Sequence, residues 1–186
     1  MKDFVKYKTS KRLLIACALA LLLNACQPTN SSTAVKEFDA DHYFPIQFAE
    51  NSIYLQLALT DSEQTRGLMH RSSLKKDHGM LFIFQEPGKR AFWMRNTSIP
   101  LDLAYLDPSG TVIEIHKLYP YDERSVPSHS KNISLVLEMN QGWFDANQIT
   151  QGCQINCRQV EIAVRSRGFN PEKFAVNWKI QTTKIH

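Results

Sequence analysis

Short runs in which apolar and polar residues alternate constrain the fold of this chain more than any other feature. The clearest pair, residues 101–106 and 111–118, flanks the segment 107–110, where Pro108 and Gly110 occupy positions that tight turns favour. This pattern predicts a β-hairpin. Further strand-like runs cover residues 44–48, 53–59, 80–84, 91–94, 133–139, 158–167 and 174–180. Eight or more short strands predict a mainly β protein: a compact jelly-roll or barrel-like sandwich with one or two short helices.

Two short segments favour helix instead. Thr60 is followed three residues later by Glu63, the spacing of a capping box, which predicts a helix from Asp61 to about Met69. Residues 141–148, anchored by Trp143 and Phe144, predict a second short helix. Both helices are too small to form a separate layer, so the strands must supply most of the core.

The first 25 residues have the composition of an export signal. They contain five basic residues and one acidic residue, and the basic residues precede an uncharged apolar run over residues 13–23. That run is too short for a permanent membrane-spanning helix, which needs about 20 residues. It has the length of the apolar core of a secretory signal peptide.

The segment Leu23-Asn24-Ala25-Cys26 resembles the lipobox of bacterial lipoproteins. The resemblance implies cleavage before Cys26 and acylation of that cysteine. Gln27, rather than aspartate, follows it, which in enteric-type bacteria implies sorting to the outer membrane. The expected location is therefore the bacterial cell envelope, with the chain lipid-anchored at the outer membrane and facing the periplasm.

We expect four segments: a lipoprotein-type signal peptide at 1–25, a flexible tether at 26–44, a domain at 45–157, and a strand-like C-terminal extension at 158–186. The tether prediction rests on its Pro, Thr, Asn and Ser content. The alternative is an ordered arm packed on the domain through Phe38, Tyr43 and Phe44.

The charge balance argues against a nucleic-acid partner. After residue 25 the chain contains 17 basic and 17 acidic residues, so the net charge of +4 comes from the N-terminal segment. A neutral domain has no basic field that would attract phosphates.

A set of ordered motifs resembles the domain of unknown function 192 family over about residues 46–155. The motifs lie at residues 66–69, 79–84, 92–97 and 99–102, followed by residues 136–138, Gly142, Ile149 and Gly152. The resemblance implies a compact, mainly β domain of jelly-roll or barrel type and no activity, because none is established for the family. Cys153 departs from the acidic residue that usually follows the last glycine, and the chain continues past the usual end of the domain.

Within these motifs, polar side chains adjoin an apolar wall, which is the composition of a ligand pocket. The apolar wall consists of Met69, Met80, Phe92 and Met94, and the candidate binding residues are Arg66, Trp93, Arg95, Asn96, Thr97 and Asp102. This pattern favours a protein that binds a small ligand or an envelope partner, with the membrane contacted through the lipid anchor. The alternative is a purely structural protein in which these side chains pair with one another.

An enzyme is less favoured than a binding protein. Asp102 and Glu138 are weak catalytic candidates, as a carboxylate pair for hydrolysis of envelope carbohydrate. The sequence has neither a Gly-x-Ser-x-Gly motif nor a phosphate-binding loop.

Residues of copper-binding type occur at Met69, His70, His78, Met80, Met94 and His116. Their spacings match no compact ligand motif, so the sequence predicts neither a metal site nor a cofactor.

Cys153 and Cys157 are the cysteines that follow Cys26, and in an exported protein they are candidates for a disulfide. Cysteines four residues apart in a straight strand are too distant to bridge. The pairing therefore requires a turn or bulge at residues 154–156.

Overall fold

A computed structural model describes residues 37–179. None of the helices within this range combines the length and the hydropathy of a membrane-spanning segment. The strands are β1 (Phe44–Phe48), β2 (Asn51–Ala58), β3 (His78–Gly88), β4 (Ala91–Phe92), β5 (Leu101–Leu106), β6 (Val112–Leu118), β7 (Val126–Pro127) and β8 (Ile133–Asn140). The helices are α1 (Asp61–Arg66), α2 (Trp143–Ala146), α3 (Cys157–Ser166) and a 3-10 helix (Pro171–Lys173).

Six of the strands form one mixed sheet in the order β1-β2-β3-β8-β5-β6, and β4 and β7 form a separate two-stranded ribbon. Among the strands of the described residues, only β2 and β3 pair in parallel, and α1 lies in the connection between them. The predicted hairpin around residues 107–110 is confirmed as the β5–β6 pair. Its turn is closed by the Asp107 carboxylate, which accepts hydrogen bonds from the amides of Ser109 and Thr111 at 2.8 and 3.0 Å.

Both faces of the sheet are covered. Along β8, Leu135, Leu137 and Met139 point to one face, whereas Val136 and Glu138 point to the other, as strand geometry requires. We call the first the helix face, because Trp143 and Phe144 of α2 and the apolar side of α3 pack against it. The second is the ribbon face, covered by the residues after α1, the β4–β7 ribbon and Met94. Burial on both faces explains why β8 reads as a nearly continuous apolar run.

The mainly β prediction is confirmed, although the sheet does not close into a barrel. β1 and β6 are its two edges, and residues 154–155 approach both at one end, through single bridges from Ile155 to Phe48 and from Gln154 to Thr111. Residues 37–179 contain three short α-helices and a 3-10 helix, where one or two short helices were expected.

The strand-like interpretation of the C-terminal extension is wrong where the chain is described. Residues 157–166 form α3, which begins where the Asn156 side chain accepts a hydrogen bond from the amide of Gln159 at 3.1 Å. Val160 and Val164 fit both an alternating and a helical period. Ile162, which a strand would bury with them, is instead 54% exposed. Residues 171–173 form the 3-10 helix, and residues 174–179 form no strand.

The tether prediction extends too far toward the domain. The amide of Phe38 donates to the carbonyl of Ser166 at 2.8 Å, and its ring stacks on His42 with centroids 3.9 Å apart. Phe44 already belongs to β1. The ordered-arm alternative therefore applies to residues 37–44, while the signal peptide and residues 26–36 lie outside the described residues.

The disulfide prediction is also wrong, because both cysteines are free thiols. Residues 154–156 do leave a straight strand, as the pairing required. However, the start of α3 directs Cys157 into the core, where its sulfur lies 3.4 Å from the carbonyl of Ser109. The Cys153 sulfur instead accepts from the amide of Thr150 at 3.4 Å. Burial raises the pKa of Cys157 to about 12.

Candidate functional site

A cleft of about 470 Å³ opens on the ribbon face, between α1 and the β4–β7 ribbon. Its volume lies within the range of small-ligand sites, about 300–1,000 Å³. The capping box at Thr60 and Glu63 fixes α1, and Gly67 ends it with a positive φ of 47°. Residues lining the cleft include Gln64, Arg66, Gly67, Leu68, Met69, Phe82, Phe84, Lys89, Arg90, Phe92, Trp93, Thr97 and Glu138.

Glu138 forms the floor of this cleft. It lies at the centre of β8, between Met80 of β3 and Leu103 of β5, and is 4% exposed. No described residue donates a hydrogen bond to its carboxyl, and desolvation by burial raises its pKa to about 8. A carboxyl in these surroundings is protonated at neutral pH, so it can donate one hydrogen bond into the cleft.

Arg90 supplies the second polar group on the cleft wall. Its guanidinium lies 3.9 Å from the centroid of the Phe84 ring, and one of its terminal nitrogens donates to the carbonyl of Glu86. Its Nε is buried without a hydrogen-bond partner among the described residues. Burial lowers the pKa of Arg90, although an arginine stays charged at neutral pH. Two buried polar groups thus adjoin the same cleft with unused hydrogen-bonding capacity.

Trp93 provides the exposed aromatic surface of the cleft. The indole is 47% exposed, and the guanidinium of Arg95 lies 4.6 Å from the ring centroid. Arg95 is held there by a hydrogen bond from its Nε to Glu123 at 3.1 Å. Arg95 therefore positions Trp93 and does not itself line the cleft.

The other predicted binding residues have separate roles. Arg66 is at the rim and forms an exposed ion pair with Asp41 at 3.4 Å. Thr97 lines the cleft, but its hydroxyl is already committed to the carbonyl of Arg95 at 3.1 Å. Asn96 is exposed in a turn with φ of 53°, a conformation that asparagine tolerates better than most residues. The structure thus brings Arg66, Trp93 and Thr97 to the cleft.

Asp102 lies on the opposite face of the sheet. It is 1% exposed and pairs in register with Met139 of the helix face. Its carboxylate accepts a hydrogen bond from the amide of Gly142 at 2.8 Å. Burial raises its pKa, opposed by the amides of Gly142 and Phe144. Asp102 thus fixes the turn into α2.

This position contradicts the carboxylate-pair hypothesis for catalysis. Glu138 pairs in register with Leu103, one residue further along β5, so it points to the ribbon face while Asp102 points to the helix face. The sheet itself separates the two carboxyls, and no substrate bond can lie between them.

The methionines and histidines of copper-binding type do not converge on one site. Met80 is on β3 and His116 on β6, three strand spacings apart in the sheet, or about 14 Å at the usual spacing. His116 instead contacts Glu114 at the far edge of the sheet, and Glu114 in turn contacts His129. Burial raises the pKa of Glu114, but hydrogen bonds from the amides of Ser130 and His129 and from both histidine rings outweigh it and lower the pKa to about 2.

Sequence reasoning missed Gln64, Phe84 and Arg90 as cleft residues. Arg90 directly follows turn residues, and no pattern indicates that its side chain folds back over Phe84. Gln64 lies within α1, and its amide donates to the carbonyl of Ile83 at 3.0 Å. The helical period predicts on which side of α1 Gln64 lies. Only the β2–α1–β3 connection places that side on the same cleft as Glu138.

Comparison with known proteins yields a family and two similar structures. The family DUF192, described as uncharacterized ACR, matches residues 45–157. No curated protein matches.

A crystal structure of a putative transcription regulator from Sinorhizobium meliloti 1021 shares 28% identity at a TM-score of 0.60, covering 63% of this chain and 95% of that one. A protein of unknown function from Novosphingobium aromaticivorans DSM 12444 shares 30% identity at a TM-score of 0.58, covering 67% of this chain and 97% of that one. Since the family match spans more than half of the sequence, this chain belongs to the DUF192 family of uncharacterised proteins.

Proposed function

We propose that this protein binds a small, neutral, oxygen-rich molecule with one flat apolar face, such as a sugar ring, in the cleft above Glu138. The observation that carries the proposal is the Glu138 carboxyl: it is buried at the cleft floor, without a partner among the described residues. A buried, unpaired carboxyl costs folding free energy, and such groups concentrate at functional sites.

The chemistry of the cleft defines the ligand class. A protonated Glu138 and the Nε of Arg90 both donate hydrogen bonds, so the ligand needs acceptors such as hydroxyl or carbonyl oxygens. Phe84, Phe92 and Trp93 offer an aromatic wall for its flat face. A cationic ligand is disfavoured, because Lys89, Arg90 and Arg66 surround the cleft.

The binding proposal is tested with the purified full chain. Small molecules that co-purify are extracted and identified by mass spectrometry from wild type, from Glu138→Gln and from Glu50→Gln, a control at an exposed turn position. Wild type and the control are expected to retain the same oxygen-rich molecule. Glu138→Gln is expected to retain less of it, because the O–H of a protonated carboxyl forms a shorter hydrogen bond than the N–H of an amide does. Equal retention by all three proteins, or no retained molecule, would contradict the proposal.

We also propose that the protein acts as an exported lipoprotein of the outer membrane. The support is sequence-based: the basic and apolar N-terminal residues, and the segment that ends at Cys26. A neutral domain is consistent with a role at the envelope rather than with nucleic-acid binding. The name of the Sinorhizobium protein therefore does not determine the function proposed for this chain.

The location is tested by expressing the full chain and its Cys26→Ser variant in a bacterium with an outer membrane. Wild type is expected in the outer-membrane fraction with an acylated Cys26 as its first residue. The variant is expected to remain unprocessed and unacylated. A wild-type protein that keeps residues 1–25 or lacks the lipid would refute this part of the proposal, while leaving the cleft hypothesis intact.

A further inference from the structure

Three side chains of metal-ligand type converge at the β6 edge of the sheet, away from the cleft. Glu114 and His116 are two residues apart on β6 and so project from the same face. His129 reaches them from the loop after β7. The Oε2 atom of Glu114 lies 3.2 Å from Nε2 of His116 and 2.7 Å from Nδ1 of His129, and the three donor atoms all lie within 4.8 Å of one another.

The backbone holds the carboxylate at the centre of this group. The amides of His129 and Ser130 donate to Oε1 of Glu114 at 2.9 and 3.0 Å, so the carboxylate cannot rotate freely. Its other oxygen, Oε2, is the one that both imidazoles contact. The donor atoms are thus arranged before any ligand binds, which reduces the entropic cost of binding.

Burial and access fit a site that exchanges ions with solvent. The Glu114 and His116 side chains are largely buried, at 13% and 24% exposed, whereas His129 is 87% exposed. Two ligands are therefore fixed on the sheet, and the third can swing aside to admit an ion. If Glu114 served only to form one ion pair, a single imidazole beside its carboxylate would suffice, whereas two imidazoles contact it here.

We propose that Glu114, His116 and His129 bind a divalent transition-metal ion, with Zn²⁺ as the expected occupant. Two imidazole nitrogens and one carboxylate oxygen are a donor set that zinc uses with a fourth position left open to water. Metal–ligand distances of about 2.0–2.2 Å place such donors about 3–3.6 Å apart, so the group needs only small side-chain movements to coordinate an ion.

Metal binding would also join two parts of the fold. His129 directly follows Ser128, whose amide donates to the carbonyl of Arg90 at 2.8 Å and whose hydroxyl accepts from the Arg90 amide at 3.1 Å. An ion would thus connect the edge strand β6 to the loop beside the β4–β7 ribbon.

The test is a titration of the metal-free full chain with Zn²⁺ by calorimetry, and with Co²⁺ by visible absorption. Three proteins are compared: wild type, His129→Ala and His70→Asn. The last is the matched control, because His70 is exposed, lies outside the cluster and has a φ of 62° that asparagine tolerates. His129 is itself exposed, so its truncation should leave the fold intact.

Wild type and His70→Asn are expected to bind one ion per chain and to give the Co²⁺ absorption bands of a four-coordinate site. His129→Ala is expected to bind at least about tenfold more weakly, since losing even a supporting group near a metal costs about 10–100-fold. Absence of binding in wild type, or equal affinity in wild type and His129→Ala, would overturn the proposal.

Discussion

Replacing Glu138 with glutamine should remove a pH-dependent loss of stability. The substitution keeps the volume of the side chain and eliminates its ionisation. In the unfolded chain a glutamate carboxyl ionises near its ordinary pKa of 4.5, whereas burial raises the pKa of Glu138 in the folded protein to about 8. Between these values the unfolded chain releases the proton while the folded protein retains it. Raising the pH through this window therefore stabilises the unfolded state relative to the folded one.

The magnitude follows from the two pKa values. At about 1.4 kcal/mol for each pH unit separating them, wild type should lose on the order of 4 kcal/mol relative to Glu138→Gln between pH 5 and pH 9. This is a large part of a typical stability of about 5–15 kcal/mol. The loss of stability is complete well above pH 8, because the Glu138 carboxyl is then ionised in both the folded and the unfolded protein.

The assay is urea unfolding followed by tryptophan fluorescence at pH 5, 7 and 9. Wild type, Glu138→Gln and the exposed control Glu50→Gln are measured at each pH. Other groups titrate alike in all three proteins, so the difference between wild type and Glu138→Gln isolates Glu138. The control is expected to follow wild type. If the difference in unfolding free energy between wild type and Glu138→Gln stays constant from pH 5 to pH 9, Glu138 ionises normally in the fold and the prediction is wrong.

Three further predictions concern contacts outside the cleft. Arg167→Met should destabilise the protein by about 3–5 kcal/mol in urea unfolding. In the native protein the Arg167 guanidinium lies 2.5 Å from the largely buried carboxylate of Glu63, and the variant leaves that carboxylate without a cation. Gly110→Ala should lower the melting temperature more than Gly142→Ala, since both have positive φ but only at Gly110 would a Cβ meet Cys157, with Sγ 2.6 Å away. Equal shifts for the two variants would argue against that contact. In the native protein Cys157 should resist a thiol reagent at pH 8 and react only on unfolding, because burial raises its pKa.

Local interactions account for the parts of the fold that were predictable from sequence. The β5–β6 hairpin rests on Asp107 and its neighbours, and α1 begins at the capping box of Thr60 and Glu63. In both cases the residues that determine the structure are within five positions of one another. The family motifs added the extent of the domain, and the family model matches residues 45–157.

Long-range packing explains where sequence reasoning was wrong. Val160 and Val164 satisfy a strand period and a helix period equally, and the helix forms because Asn156 caps it and the helix face needs a cover. Cys153 and Cys157 are close in sequence, but the direction of α3 turns one of them into the core.

Local sequence patterns predicted most strands of the sheet, the principal turn and the residues that carry polar groups beside apolar ones, but they assigned the helix at residues 157–166 to a strand. The order of the strands, and hence the geometry of the site, depends on long-range packing. Asp102 and Glu138 looked like one carboxylate pair, but the register of β5 and β8 sends them to opposite faces of the sheet. Arg90 packs on Phe84, six positions earlier in the chain, and His129 contacts Glu114, 15 positions earlier. A one-residue change of register reverses the face of every side chain on a strand, and only the complete set of pairings fixes that register.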